Sequence, residues 1–189
     1  MKTLNFDPTL FIFLGSSSAQ VGWRLKKKLD QAYGELPIFR YLWIDTDSNT
    51  SDELKQWLNS SLVEKAYIGG FNGKMVLRNL ESYSEIKKWW PENSKLKPGF
   101  MSNGAGQVRS FGRLALFRKF KDASENEGTF ISKLNGCLQG ISTVANTMKA
   151  STKETEYFRF TVNDRKARII FVFSPCGGTG SGISFDLAY

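Results

Sequence analysis

From Gly177 to Gly182 the chain reads Gly-Gly-Thr-Gly-Ser-Gly, shortly after the apolar run Arg168-Ile-Ile-Phe-Val-Phe-Ser174. Glycine lacks the Cβ that would hold a ligand off the backbone, so successive N–H groups can point at one anion. The positive end of a following helix adds to the attraction. Thr179 and Ser181 add hydroxyl donors. A buried strand, a glycine-rich turn and a helix in that order make a phosphate cradle. The bland alternative is a turn that only lets strand and helix pack closely.

Three other segments carry matching chemistry. Gly15-Ser-Ser-Ser-Ala-Gln20 follows the apolar run Leu10-Phe-Ile-Phe-Leu14 and offers donors, with Gly15, Ser16, Ser17 and Gln20 as candidate contacts. Asp45-Thr-Asp-Ser48 follows Arg40-Tyr-Leu-Trp-Ile44, and Gly104-Ala-Gly-Gln107 opens a helical pattern. The carboxylates of Asp45 and Asp47 would repel phosphate unless Mg²⁺ or a ribose hydroxyl lies between. A metal nucleotide satisfies donors and carboxylates together. Taken singly, Asp45 and Asp47 also suit a helix cap, and Gly104-Ala105-Gly106 suits an ordinary turn. No Walker loop of the form GxxxxGK[ST] occurs, and the first loop lacks the GxGxxG of dinucleotide folds.

The absence of histidine removes Ser-His-Asp triads, Cys-His pairs and histidine metal sites. Cys137 and Cys176 are far apart with no CxxC spacing, so neither a zinc site nor a disulfide framework is indicated. Cys137 reads as a small buried hydrophobe, and Cys176 stands where a nucleotide could protect it.

The elements that position these loops follow from the pattern. Leu10–Leu14 reads as a central strand buried on both faces, Ser16–Gln20 as a turn, and Val21, Leu25 and Leu29 as the apolar line of a helix. Arg40–Ile44 is a second strand, and Thr50 or Ser51 with Asp52 and Glu53 caps the next helix. Between residues 59 and 99 the pattern marks turns at Gly69-Gly70 and Asn72-Gly73, a short helix over Glu81–Trp90 and a loop over Pro91–Pro98, with Trp89-Trp90 as local packing. A helix follows Gly104–Gly106, a second runs from about Asn126 to Lys149, and Tyr157–Val162 and Lys166–Phe173 are strands joined by a turn at Asn163-Asp164. In an open parallel sheet the loops after the strands collect on one edge, where ligands bind. The expectation is an α/β, Rossmann-like three-layer sandwich with a mostly parallel sheet.

The 189 residues, 41% of them hydrophobic, are enough for one domain with a substantial core. A formal charge of +8 suits an anionic partner and makes a basic nucleic-acid-binding domain a rival reading, although Arg24-Leu-Lys-Lys-Lys28 fits a solvated helix face. No stretch has the apolar length of a membrane span and the first residues lack a signal-peptide core, so a cytoplasmic location is expected. The last residues, Gly182–Tyr189, read as a helix without a C-cap signal, and the chain is expected to continue past Tyr189.

Gly177-Gly-Thr-Gly-Ser-Gly182 resembles the signature loop of the tubulin/FtsZ superfamily, GGGTGSG or GGGTGTG, with Cys176 in place of the first glycine. Gly15, Gln20 and Gly22 fall in register with tubulin's GQxGNQxG, although Ser16 and Ser18 stand where tubulin has glutamine and glycine. Ile44-Asp-Thr-Asp47 resembles FtsZ's INTD, and Gly104-Ala-Gly106 the shared GAG. Gly104-Ala-Gly-Gln-Val-Arg-Ser-Phe-Gly-Arg113 is most similar to the divergent tubulin-like domains at the start of large bacterial proteins.

The resemblance implies the amino-terminal part, residues 1–189, of a GTP-binding domain that is a self-assembling GTPase when complete. The alternative is a non-polymerising regulatory nucleotide-binding module. It implies that Gly15, Ser16, Ser17 and Gln20 line the nucleotide and that Asp45 and Asp47 face the metal or phosphates. Gly104, Ala105, Gly106 and Gln107 would touch the γ-phosphate, and Gly177, Gly178, Thr179, Gly180 and Ser181 would cradle the α and β phosphates. In the superfamily the acidic residues that hydrolyse a neighbour's GTP lie after the signature loop.

Overall fold

The computed structural model describes residues 2–91, 94–123, 130–148, 158–162 and 166–189. Strands β1 (Lys2–Phe6) and β2 (Thr9–Leu14) lead into α1 (Ser16–Tyr33), and β3 (Phe39–Asp45), α2 (Asp52–Leu58) and β4 (Val63–Tyr67) follow. Next come α3 (Gly73–Arg78), a 3-10 turn at Leu80–Ser82, α4 (Ser84–Lys87), α5 (Arg109–Ala123) and α6 (Phe130–Met148). Strands β5 (Phe158–Val162) and β6 (Arg168–Phe173) and helix α7 (Gly178–Ala188) complete the order.

The main sheet runs β4-β3-β2-β6, all parallel, while β1 and β5 pair in parallel as a second, two-stranded sheet. Side chains alternate across a strand, and here the alternation sorts residues by shape. Leu10, Ile12, Leu14, Leu42 and Ile44 face an aliphatic layer with Leu114, Ala115 and Leu116 of α5, Cys137 and Ile141 of α6 and Ile183 of α7. Phe13, Tyr41 and Trp43 face an aromatic layer with Ala19 of α1 and Leu54 and Trp57 of α2. The molecule is therefore α/β, a parallel sheet between two helical layers.

Several local expectations change. Ser16–Gln20 is no turn but the opening of α1. The helix buries Ser18, Ala19, Gly22 and Lys26; of the expected line, Leu25 and Leu29 are partly buried against the aromatic layer while Val21 is 52% exposed. Gly22 sets that rotation: a Cβ there would come within 2.7 Å of Trp57 and 2.9 Å of Phe13, so the glycine line lies on the aromatic layer. Lys26 is buried rather than solvated and pairs with Asp30 at 2.6 Å and Glu35 at 2.9 Å. Burial lowers its pKa, but the two carboxylates outweigh burial and leave it raised.

β4 was not legible, because Val63-Glu-Lys-Ala-Tyr67 lacks a hydrophobic alternation and pairs through its backbone with β3. The expected helix over Glu81–Trp90 contracts to the 3-10 turn and α4. β5 and β6 belong to different sheets and do not form a hairpin; Tyr157 and their expected Asn163-Asp164 turn lie outside the described residues. So do residues 126–129 and Lys149 at the ends of the helix observed as α6. β6 comes last in the four-stranded sheet of the described residues and is less buried than expected: Ile169, Ile170 and Phe173 are 50%, 38% and 39% exposed. No helix among the described residues is long and apolar enough to cross a membrane.

Candidate functional site

The parallel sheet brings the ends of β2, β3 and β6 to one edge, as the order of elements requires. The segment before α5 follows no strand and reaches that edge by backbone stitching. Gly73 N–H donates to Gly99 O at 2.9 Å, Gly70 N–H to Met101 O at 2.7 Å and Ser48 N–H to Ser102 O at 3.0 Å. An isolated bridge between Asp47 and Asn103 then sets Gly104 beside the β3 end.

A cleft of about 210 Å³ opens where these segments meet. It is lined by Gly15, Ser16 and Ser17, by Asp45 and Asp47, by Asn103 to Gly106, and by Ser174, Gly177, Gly178, Thr179 and Gly180. Larger hollows exist, such as one of about 360 Å³ lined by Trp23, Lys26 and Trp57 and one of about 460 Å³ lined by Tyr83, Phe117 and Phe120. Neither collects strand-end loops, and the one helix start among them, that of α4, already carries Glu85 in its first turn, so the paired open donors rather than the volume single out the smaller cleft.

Three candidates fall outside the lining. Gln20 lies one turn into α1, and its Nε2 donates to Ser51 Oγ at 3.3 Å. Gln107 is exposed beyond the loop. Ser181 faces a neighbouring hollow with Arg109, Arg113 and Phe185, and its hydroxyl donates back to Gly177 O. Cys176 is exposed and is not part of the lining either. Asn103 and Ser174 line the cleft without having been anticipated. Only their adjacency to Gly104 and to Cys176-Gly177 could have signalled them.

Helix α7 begins at Gly178, four residues earlier than the pattern suggested, so the glycine-rich stretch is mostly the first turn of a helix. The first N–H groups of a helix have no intrahelical acceptor. Gly178 N–H donates to Gly106 O at 2.8 Å. Thr179 and Gly180 follow in that first turn, and no side chain caps it. α1 likewise starts from Gly15 with no side-chain cap and no acidic residue in its first turn. Gly15 has φ +89°, ψ 164°, a conformation that essentially only glycine adopts, and this turns the chain from β2 into α1 at the cleft floor. The two starts meet: a Cβ on Gly15 would lie 3.5 Å from Thr179 Cβ and 3.9 Å from Gly180 N. Gly178, by contrast, owes its identity to packing, since a Cβ there would sit 2.5 Å from Gly106 O and 2.9 Å from Ala105 O.

The two carboxylates have different tasks. Asp45 is 2% exposed and fully engaged. It accepts from Ser16 Oγ at 2.6 Å, Trp43 Nε1 at 3.1 Å and Asp47 N–H at 3.1 Å. Burial pushes its pKa above the usual carboxylate range against those hydrogen bonds and the Lys65 charge. Asp47 uses Oδ1 to accept from the Asn49 backbone and side-chain amides, each at 2.9 Å, and no protein donor to Oδ2 is found among the described residues. Lys65 supports the pair from β4: its ammonium lies 4.0 Å from the Trp43 ring centroid and donates to Thr50 Oγ1 at 2.8 Å. Burial lowers its pKa while Asp45 and Asp47 oppose the shift.

Among the described residues no three acidic, cysteine or histidine side chains gather as a metal cage. A divalent cation here would need oxygens from a ligand as well as from Asp47, which is how Mg²⁺ is commonly held. The arrangement can neutralise an elongated anion from two helix ends and accept a cation at one side.

Comparison with curated proteins and with solved structures returns no match. Residues 10–189, nearly the whole chain and every cleft-lining segment, match the sequence model of a family described as tubulin-like, and the chain belongs to that tubulin-like family.

Proposed function

We propose that the cleft binds the phosphate chain of a purine nucleoside triphosphate, GTP by family membership, together with Mg²⁺. The observation that carries this reading is the convergence of two uncapped helix N-termini on one cleft. Each presents unsatisfied N–H groups and a positive dipole end, and an anion between them satisfies both. Asp47 fits the cation: its Oδ2 has no protein donor among the described residues and it lies on the cleft wall. The cation would offset the repulsion between carboxylate and phosphate.

The site supports binding more than turnover. Asp45 is occupied by three donors, Asp47 is half-occupied by Asn49, and the chain has no histidine. Hydrolysis needs a positioned water and added charge stabilisation. In the tubulin/FtsZ superfamily a neighbouring subunit supplies the acidic residues for that step, so self-association and turnover belong together in this reading. Residues 1–189 alone bind without measurable turnover.

Titration calorimetry with Mg–GTP, Mg–ATP and GMP tests the reading. Triphosphates bind at least about tenfold more tightly than GMP, because each charge-assisted N–H hydrogen bond that GMP cannot make is worth about 1.5–3 kcal/mol. Equal affinity for GMP and GTP, or steeply salt-dependent binding of nucleic acid with indifference to GTP, refutes it.

A further inference from the structure

Thr46 lies between the two cleft aspartates, is 0% exposed and does not line the cleft. Its Oγ1 accepts the Ala105 N–H at 2.8 Å and lies 2.6 Å from Thr179 Oγ1. One hydroxyl therefore ties the end of β3 to the Gly104–Gly106 loop and to the first turn of α7. An apolar reading of the Asp-Thr-Asp stretch would miss this, because both tied partners are remote in sequence.

A buried hydroxyl has to place its own proton as well as accept one. Either oxygen could donate across this contact; since Thr179 Oγ1 is the acceptor within reach of the buried Thr46 proton among the described residues, the direction assigned is Thr46 donating and Thr179 accepting. The Thr179 proton is then left over, and Thr179 lines the cleft. Ala105 N–H, Thr46 O–H and Thr179 O–H form a chain in which every donor points the same way, and such chains polarise cooperatively.

We propose that Thr46 is a positioning residue that makes the Thr179 hydroxyl an obligatory donor to the cleft and locks the Gly104–Gly106 loop to α7. The cleft then takes an acceptor at that point, a phosphoryl oxygen, and disfavours a donor. The Ala105 amide, expected to touch the γ-phosphate, is spent on Thr46 instead. The proposal rests on the phosphate reading of the cleft.

The test pairs Mg–GTP calorimetry with amide hydrogen exchange at Ala105. Thr46→Val keeps the shape and removes the hydroxyl, and lowers Mg–GTP affinity about tenfold, a typical effect of removing one buried hydrogen-bonding group. Thr46→Ser restores it to within about threefold, since the hydroxyl returns. Adding Thr46→Val to Thr179→Val causes no further loss, because both break one chain. In ligand-free protein the Ala105 amide exchanges slowly in wild type and Thr46→Ser and faster in Thr46→Val. Should Thr46→Val fail to fold, wild-type exchange and Thr179→Val decide: a rapidly exchanging Ala105 amide, or full affinity in Thr179→Val, overturns the proposal. Full affinity in Thr46→Val, or additive losses in the double variant, overturns it while leaving the phosphate reading intact. Wild-type protein that binds no Mg–GTP, Mg–ATP or tripolyphosphate overturns both.

Discussion

Helices α1 and α2 pack on the same aromatic face of the sheet and begin in opposite ways. α2 closes its own N-terminus: Ser51 Oγ accepts from Leu54 N–H, and Asp52 and Glu53 place negative charge in the first turn. α1 starts from Gly15 with neither device, and α7 on the other face starts from Gly177 in the same open manner. Side-chain caps and first-turn carboxylates stabilise a helix by satisfying its N–H groups and its dipole. The chain omits them at two helices whose starts lie close together, and the proposed phosphate site rests on those open donors. In the proposed reading the self-capped helix holds structure and the open pair holds a ligand.

The largest effect comes from separating packing glycines from ligand-facing ones. Gly178→Ala forces a Cβ against the Gly106 carbonyl, and an overpacked contact of that kind costs about 1–3 kcal/mol, or a melting temperature lower by about 3–10 °C. Gly177→Ala meets nothing nearer than Ser174 O at 3.9 Å, so the fold keeps its melting temperature and triphosphate affinity alone changes. Matched thermal melts and calorimetry check the pair; equal melting temperatures would erase the distinction.

Giving α1 the kind of cap that α2 has removes the difference between the two helices. Ser17→Asp puts a carboxylate in the exposed first turn of α1, where it competes with a phosphate for the same N–H groups. Triphosphate affinity falls at least about tenfold while stability holds or rises by up to about 1 kcal/mol. The reciprocal change, Ser51→Ala, removes a cap and costs about 1 kcal/mol with no change in affinity. Chemical denaturation beside calorimetry reads both, and a Ser17→Asp protein that binds normally shows that the α1 terminus is not used.

A smaller effect separates the two aspartates. Asp47→Asn keeps an oxygen for Asn49 and removes the charge, so affinity falls more with Mg²⁺ than with chelator present. Equal losses in both titrations assign Asp47 to loop structure.

The smallest effect is a pH slope at Asp45. Burial raises its folded-state pKa above the unfolded value, so its contribution is fully present below the ordinary carboxylate pKa of about 3.9 and is lost as pH rises through the raised value. The stability of Asp45→Asn relative to wild type therefore improves with rising pH across that interval. A difference that stays flat in denaturation at stepped pH contradicts the raised pKa.

Much of the layout was legible from period alone. Leu10–Leu14 and Arg40–Ile44 were readable as strands because β-branched and aromatic residues cluster between turn signals, and Ser51-Asp52-Glu53 marked a helix start by local capping chemistry. β4 was invisible since its backbone pairing does not need an apolar alternation. The exposure of β6 among the described residues was equally hidden, because Ile169-Ile-Phe-Val-Phe173 has the composition of a buried strand.

Residue chemistry and order by themselves determined that glycine- and hydroxyl-rich segments follow strands, and parallel pairing then obliges three of them to share one edge. Which groups remain free was decided by tertiary contacts. Gly106 O claims the Gly178 amide, Thr46 claims the Ala105 amide, and Asp45 claims the Ser16 hydroxyl. A hydrogen-bond donor is spent or available according to what lies within about 3 Å of it, and that proximity joins residues as far apart in the chain as Thr46 and Thr179.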